Sequence, residues 1–537
     1  MVRTSFKKFI QVTALVLTLV LAANAFARKA PPMVDGATTA QRTVIRNVTV
    51  IQPGAKKVST SVADVWLENG MIQAVLRPGS TAPKSTSSDL KQIDGSGRFL
   101  LPGLIDSHVH LANVAGMTGA QKKKYPQALS AYWQQLPRSY LYYGFTSLVD
   151  LNAYHPNQIK AFTQSPVAPR LWHCGPQVSV YEDFTFAVEG LSEAEKLEQD
   201  FVLDPALATP ATVKNPHKHS VPKTMQKLKD AGASCIKMLV EDETVGLPVN
   251  WQSPSTKLVS EFAQAGAQSN MPVVLHAPSA AGHQLALSSG VSVLAHGLWA
   301  RELSEKSFQS NDLSAQDSDL LKQVAERGIG YQPTLRVINA EQELLNPSAV
   351  KNKLYEKVYP SDYLRYLQTE DAQWGVKKLA SRPQIWSPEL RQAIKSFPGA
   401  KGADGLRLLE HAYPMYRERL RHVLNKLHQH KAKLLLGSDT PAMNLYTQPP
   451  GLNGYLEMLA WQDAGIPPEQ ILLAATYNNA QVFRLSKVGQ IRADMHADLL
   501  LLRENPLKDI RAMESIEIVF AQGRAFDRER FAASRLK

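Results

Sequence analysis

The stretch Pro102-Gly103-Leu104-Ile105-Asp106-Ser107-His108-Val109-His110 decides how this chain is read. A short apolar run, Phe99 to Ile105, leads into two histidines one residue apart. Side chains two apart on a strand point the same way, so His108 and His110 project together from its C-terminal end. Neutral imidazoles at this spacing suit zinc or a similar divalent ion. Taken alone, such a pair is a weak signal.

The chain downstream strengthens it. Short apolar runs alternate with helical patterns, the signature of βα units. Eight candidate strands follow one another: Phe99 to Ile105, Thr146 to Leu151, Leu171 to Gly175, Cys235 to Val240, Pro272 to His276, Val291 to His296, Gly328 to Thr334 and Ala432 to Gly437. Eight is the number a closed parallel (β/α)8 TIM barrel requires, and the C-terminal ends of such strands surround one mouth. His276 ends Val273-Val274-Leu275-His276, His296 ends Val293-Leu294-Ala295-His296, and Asp439 ends Leu434-Leu435-Leu436-Gly437-Ser438-Asp439. Each alone would be structural; their shared position predicts one site. His428 and His430 lie on a polar stretch and are read as surface residues.

Two spacers are long, Tyr181 to Ala233 and Leu335 to Lys431, and both leave the face that carries active-site loops. The part from Glu341 to Lys431 is rich in helix formers and aromatics, suiting a substrate lid or an oligomer contact.

Both ends of the chain are β-rich. Thr43 to Val75 alternates apolar and polar residues, and Asn69-Gly70 between two apolar runs is a hairpin signal. Ala497 to Arg503 and Ile516 to Gln522 repeat this character. The expected organisation is α/β: a barrel over 99–485 and a small discontinuous β-sandwich from 42–98 and 486–530.

Arg3, Lys7 and Lys8 precede the apolar run Phe9 to Ala23, and Ala25-Phe26-Ala27 follows as an A-x-A site. That order predicts a secretory signal peptide over 1–27, removed to leave a periplasmic protein that begins at Arg28. The run is shorter than the roughly 20 residues of a spanning helix, so no stable membrane anchor is expected. The net charge of +12 includes those three basic residues; without them 57 basic face 48 acidic residues, or +9. No long basic block, zinc finger or aromatic RNA-binding motif accompanies that charge, so no nucleic-acid partner is expected. Lys122-Lys123-Lys124, the densest run, is read as a solvated turn. Cys174 and Cys235 sit in two predicted parallel strands. An oxidising compartment would permit one disulfide, but such strands are buried on both faces, which favours free thiols.

The segment from Pro102 to His110 resembles the opening motif of the amidohydrolase superfamily. Tyr143-Gly144-Phe145-Thr146-Ser147, Ile236-Lys237-Met238, Leu275-His276-Ala277, Ala295-His296-Gly297 and Gly437-Ser438-Asp439-Thr440 are similar to its imidazolonepropionase-like and prolidase-like (Xaa-Pro and Xaa-Arg dipeptidase) branch. Ala474-Ala475-Thr476 and Ala497-Asp498-Leu499-Leu500 resemble its tail, whereas Gly489 to Met495 departs from the usual Pro-Gly turn. The resemblance implies two divalent metal ions. His108, His110 and Asp439 would hold one, His276 and His296 the other, and a carboxylated Lys237 would bridge them. It further implies a peptidase or amidase: a hydroxide between the ions attacks a carbonyl, and Asp439 serves as general base and then general acid.

The substrate expected is a small amide, a dipeptide or an N-acyl amino acid. Arg301 and Arg336 follow the sixth and seventh strands and are candidate partners for its carboxylate. Hydrolysis of a cyclic amide or amidine, an aminated ring or an ester is the alternative. A non-catalytic binding protein of the same fold should have lost ligands, and all six are present.

Overall fold

The computed structural model describes residues 42–536, apart from 56, 86–88, 190–199, 210–211, 242–250, 300–312, 386–387, 397–400 and 403–404. The predicted signal peptide and Arg301 lie outside the described residues.

Eight parallel strands form the centre of a TIM-barrel-like α/β fold. They are β6 (Leu104–Val109), β7 (Phe145–Asp150), β8 (Arg170–His173), β9 (Ile236–Leu239), β10 (Val273–His276), β11 (Val293–Ala295), β12 (Gly330–Gln332) and β13 (Lys433–Leu434). Ladders join them in two arcs, β6-β7-β8 and β9-β10-β11-β12-β13. Backbone hydrogen bonds cross both gaps. Ser234 N donates to His173 O at 2.8 Å, Ser107 N to Leu436 O at 3.0 Å and Asp439 N to His108 O at 2.8 Å. β6 and β7 are buried throughout, and their polar members Asp106, Ser107, His108, Thr146, Ser147 and Asp150 are buried along with the apolar ones.

Helices follow the strands, and sequence chemistry sets several of their starts. Ser255, Ser279 and Ser314 each accept the backbone N–H three residues on, opening Thr256–Gln268, Ala280–Ser289 and Ala315–Glu326. Such caps satisfy amides that no helical carbonyl can reach.

The two ends of the chain share one eight-stranded sheet. Its N-terminal strands are β1 (Arg42–Pro53), β2 (Val58–Glu68), β3 (Met71–Leu76), β4 (Leu90–Asp94) and β5 (Phe99–Pro102). β14 (Leu499–Leu502), β15 (Ile516–Ala521) and β16 (Arg524–Asp527) complete it. The order is β16-β15-β14-β5-β1-β2-β3, with β4 beside β1. Ile45, Val65, Leu67, Ile72, Leu499 and Phe520 form its own apolar core. Asn69 and Gly70 both take positive φ, 50° and 78°, as a two-residue hairpin turn between β2 and β3 demands.

Three expectations are corrected. Phe99 to Ile105 is not one strand: β5 pairs with β14 and β1, and β6 starts the barrel. The break falls at Gly103, where a Cβ would lie 1.9 Å from Thr146 Oγ1 on β7. Cys174 and Cys235 are not free thiols but a disulfide. Cys174 follows β8 and Cys235 precedes β9, and the Ser234–His173 hydrogen bond brings those ends together. The bond therefore spans the gap between the arcs. The lysine run is no turn; it ends a short helix, Gly119–Lys124.

Candidate metal centre

His108 sits near the end of β6 and His110 just beyond it; His276 ends β10, and His296 and Asp439 follow β11 and β13. The fold brings them together. His110 Nε2 lies 2.8 Å and His108 Nε2 3.1 Å from Asp439 Oδ1, and His296 Nδ1 lies 3.9 Å from Oδ2. Ligand atoms of His108, His296 and Asp439 all fall within 4.8 Å of one another. The His276 and His296 ring centroids are 4.4 Å apart.

Two of these residues carry left-handed backbone, φ 80° at His296 and 54° at Asp439. Thr334, which bonds His296, does so as well, at 47°. Side-chain-bearing residues rarely adopt this region, least of all a β-branched one, and strain of this kind collects at functional sites.

Buried carboxylates and amides support the donors from behind. Asp106 accepts Ser438 Oγ at 2.5 Å and Ser438 N at 3.0 Å, tying β6 to the turn that bears Asp439. Asp150 accepts Leu111 N and Asn152 N, fixing the segment after His110. Burial pushes the Asp106 carboxyl up to about 7 and that of Asp150 up to about 6. Gln332 Oε1 is 3.1 Å from His108 Nδ1, and Thr334 Oγ1 is 2.9 Å from His296 Nδ1.

Charge in the site follows burial. It pushes His108 down to about 3 and His296 well below its ordinary value, leaving neutral imidazoles. Burial would raise Asp439, yet the surrounding histidines His108, His110 and His296 hold it well below the carboxylate range. Lys237 on β9 is 2 % exposed, and its Nζ makes no hydrogen bond. Burial brings its amine down to about 8 against the attraction of Asp439. His108 Nε2 likewise lacks an aligned hydrogen bond despite its closeness to Asp439. Neutral imidazoles, an ionised carboxylate and buried nitrogens left unmatched are the donor set of a divalent metal site.

Trp299 covers the second histidine pair, stacked on His296 at 4.6 Å and edge-on to His276 at 6.2 Å. The long spacer after β12 braces the mouth from the other side. Tyr363 donates to Ala115 O, and Tyr366 Oη and Trp374 Nε1 donate to Gly116 O at 2.6 and 2.9 Å. Tyr359 Oη donates to Tyr446 O at 2.8 Å. These donors grip the segments that follow His110 and Asp439.

The structure corrects the expectation for Arg336. It is 3 % exposed, and its guanidinium donates to Glu343, Asn453 Oδ1 and Thr447 O. Those bonds pin the helix Leu335–Leu344 and leave it unavailable to a substrate carboxylate. Sequence reasoning missed Gln332 and Thr334, although both stand two apart at the end of a predicted strand. It also missed Glu241, whose Oε2 lies 2.7 Å from His276 Nε2.

A TIM-barrel-like fold with histidines and a carboxylate at one mouth defines a class of metal-dependent hydrolases. Residues 99–526 match the model of the amidohydrolase family, and the chain belongs to that family. It is a hydrolase acting on carbon–nitrogen bonds. A stretch of 67 residues is 36% identical to N-acetylglucosamine-6-phosphate deacetylase of Lysinibacillus sphaericus. That match spans 12% of this chain and 15% of the deacetylase. Among solved structures, a Xaa-Pro dipeptidase with methionine in its active site superposes with a TM-score of 0.56 at 17% identity. The match covers 90% of this chain and all of that one. Ochratoxinase of A. niger gives 0.56 at 18% identity, over 91% of this chain and 96% of its own. At such identities the likeness is one of fold. Among the described residues, no helix is long and apolar enough to cross a membrane.

Proposed function

We propose that this protein is an exported, periplasmic hydrolase that cleaves the amide bond of a dipeptide or N-acyl amino acid at a centre of two divalent metal ions, zinc by donor type. In this reading the two strand arcs close as one barrel. The terminal strands form a separate β-domain, with Gly103 as the boundary. His108, His110 and Asp439 would hold one ion, His276 and His296 the other, and Lys237, carboxylated on Nζ, would serve as a shared anionic ligand.

The observation that carries the reading is Lys237. An ammonium buried without a hydrogen bond is costly, and its charge bears on His108, His296 and Asp439 together. Carboxylation turns that misplaced cation into an anion among metal ligands. Divalent ions held there would polarise the scissile carbonyl and lower the pKa of water toward neutrality.

The remaining work belongs to the chain. Asp439 bonds His110 through one oxygen, which also lies close to His108, and faces His296 with the other. It takes the proton of the attacking water and delivers it to the leaving nitrogen. Asp106 holds the turn that aims it. Trp299 provides an apolar wall that keeps bulk water from the second histidine pair.

The relatives agree in kind: a Xaa-Pro dipeptidase and a deacetylase are named for amide cleavage. Metal analysis with a panel of dipeptides and N-acyl amino acids tests the proposal. Two divalent ions per chain and release of a free amine are expected. A protein that leaves these substrates intact and opens cyclic amidines or esters would overturn it.

A further inference from the structure

The histidines of the centre are held by a shared arrangement. His108 gives its Nδ1 to Gln332 and turns Nε2 toward Asp439. His296 has Nδ1 against Thr334. In each ring one nitrogen is engaged by a fixed protein group, which leaves the other as a donor to the centre. Partners of this kind set the tautomer and orientation of metal-binding histidines.

His276 follows the same arrangement with a carboxylate as its partner. Its Nε2 lies 2.7 Å from Glu241 Oε2. Glu241 is 8 % exposed and stands four residues beyond Lys237, on the continuation of β9. Its backbone is anchored there: Val240 N donates to His276 O at 2.8 Å, and Trp251 Nε1 donates to Glu241 O. The β9–β10 register pairs His276 with Leu239, so the segment bearing Glu241 runs alongside the ring it contacts.

We infer that Glu241 is a positioning residue for the second metal ion, acting through His276. The inference rests on the proposed reading in which His276 is a ligand. An ionised carboxylate only accepts hydrogen bonds, so the shared hydrogen is the Nε2–H of the ring. A neutral imidazole carries one N–H, and its lone pair then lies on Nδ1, the nitrogen left to serve as a ligand. Glu241 thus makes His276 an Nδ1 ligand and increases the basicity of that nitrogen. His108 and His296 have uncharged partners on Nδ1, Gln332 and Thr334, whereas the partner of His276 is a carboxylate.

Competition of the zinc-loaded enzyme with a chelator reads the two affinities separately, for wild type, Glu241→Gln and Glu241→Ala. Expected is a loss of about 10–100-fold in the affinity for one of the two ions in Glu241→Ala, the effect typical of removing such a partner. The first ion should be unaffected. Glu241→Gln keeps an oxygen that can accept the Nε2–H and nearly the same shape, so it should fold and lie between wild type and Ala. Unchanged affinities in both variants would overturn the inference. So would a Gln variant as weak as Ala, since the carboxylate would then itself be the ligand. A wild-type enzyme holding fewer than two ions would reject the two-metal reading and this inference with it. Two ions in wild type with unaltered variants would reject this inference alone.

Discussion

His110 Nε2 and Asp439 Oδ1 meet at 2.8 Å although 329 residues separate them in the chain. The contact joins the first barrel strand to the last, and Asp439 N donates to His108 O at the same seam. The ends of the barrel sequence are thus held together at the point where the chemistry is proposed. Coupling of this kind makes loss of a ligand and loss of local structure separable only by the choice of substitution.

Lys237→Ala should lose metal and activity together, because the variant removes the proposed bridge and leaves a cavity on a buried strand. Short-chain carboxylic acids added to the variant should restore part of both by occupying the place of the missing anion. Metal content and turnover on one sample measure this. Two ions and near-normal turnover in the variant would remove Lys237 from the centre.

The disulfide closes a separation of 61 residues between β8 and β9, two positions before Lys237. Chain-entropy arguments put its contribution at about 4 kcal/mol for a loop of that size. The paired Cys174→Ala and Cys235→Ala variant should unfold at lower denaturant by a free-energy difference of about 2–5 kcal/mol. Wild type under reducing conditions should match it. A variant as stable as oxidised wild type would show that the gap between the arcs needs no staple.

His283, which is not one of the candidate ligands, gives a further pH dependence. Its ring is buried, with Nδ1 2.8 Å from Ser279 O and Nε2 2.8 Å from Tyr331 Oη. Burial pushes it down to about 4 from an ordinary 6.5. Between those values the unfolded chain binds the proton and the folded chain does not, so stability falls as pH drops from 6.5 toward 4. The effect is on the order of 3 kcal/mol. Urea unfolding of wild type and His283→Gln at pH 7 and pH 5 isolates it: the loss on acidification should be smaller in the variant. Equal losses would contradict the assignment.

Much of this architecture is legible from residues alone, because several of the buried parallel strands are short apolar runs and a barrel must present its strand ends at one mouth. His276 and His296 could be placed by that rule without a partner in view. What sequence could not supply were the contacts that depend on neighbours in space. The apolar run divides into two strands at Gly103, where Thr146 of the next strand leaves no room for a Cβ. Cys174 and Cys235 read as separate buried thiols until the ends of β8 and β9 are seen to adjoin. Arg336 looks like a mouth residue from its position after a strand, and only the fold shows Glu343, Asn453 and Thr447 enclosing it. Glu241 carried the same signal as Asp439, an acid just past a strand end. Its contact with His276 is visible only in the fold.

The central claim is that Asp439 both binds metal and carries the proton, and Asp439→Asn tests it most directly. The amide keeps the size and one ligating oxygen but cannot accept the proton of water at neutral pH. Steady-state kinetics and metal content, measured on the same preparation, should show ions largely retained. Turnover should fall by at least the roughly 10²–10⁴-fold that loss of a general acid–base costs. An Asn variant with full metal and wild-type turnover would contradict the account.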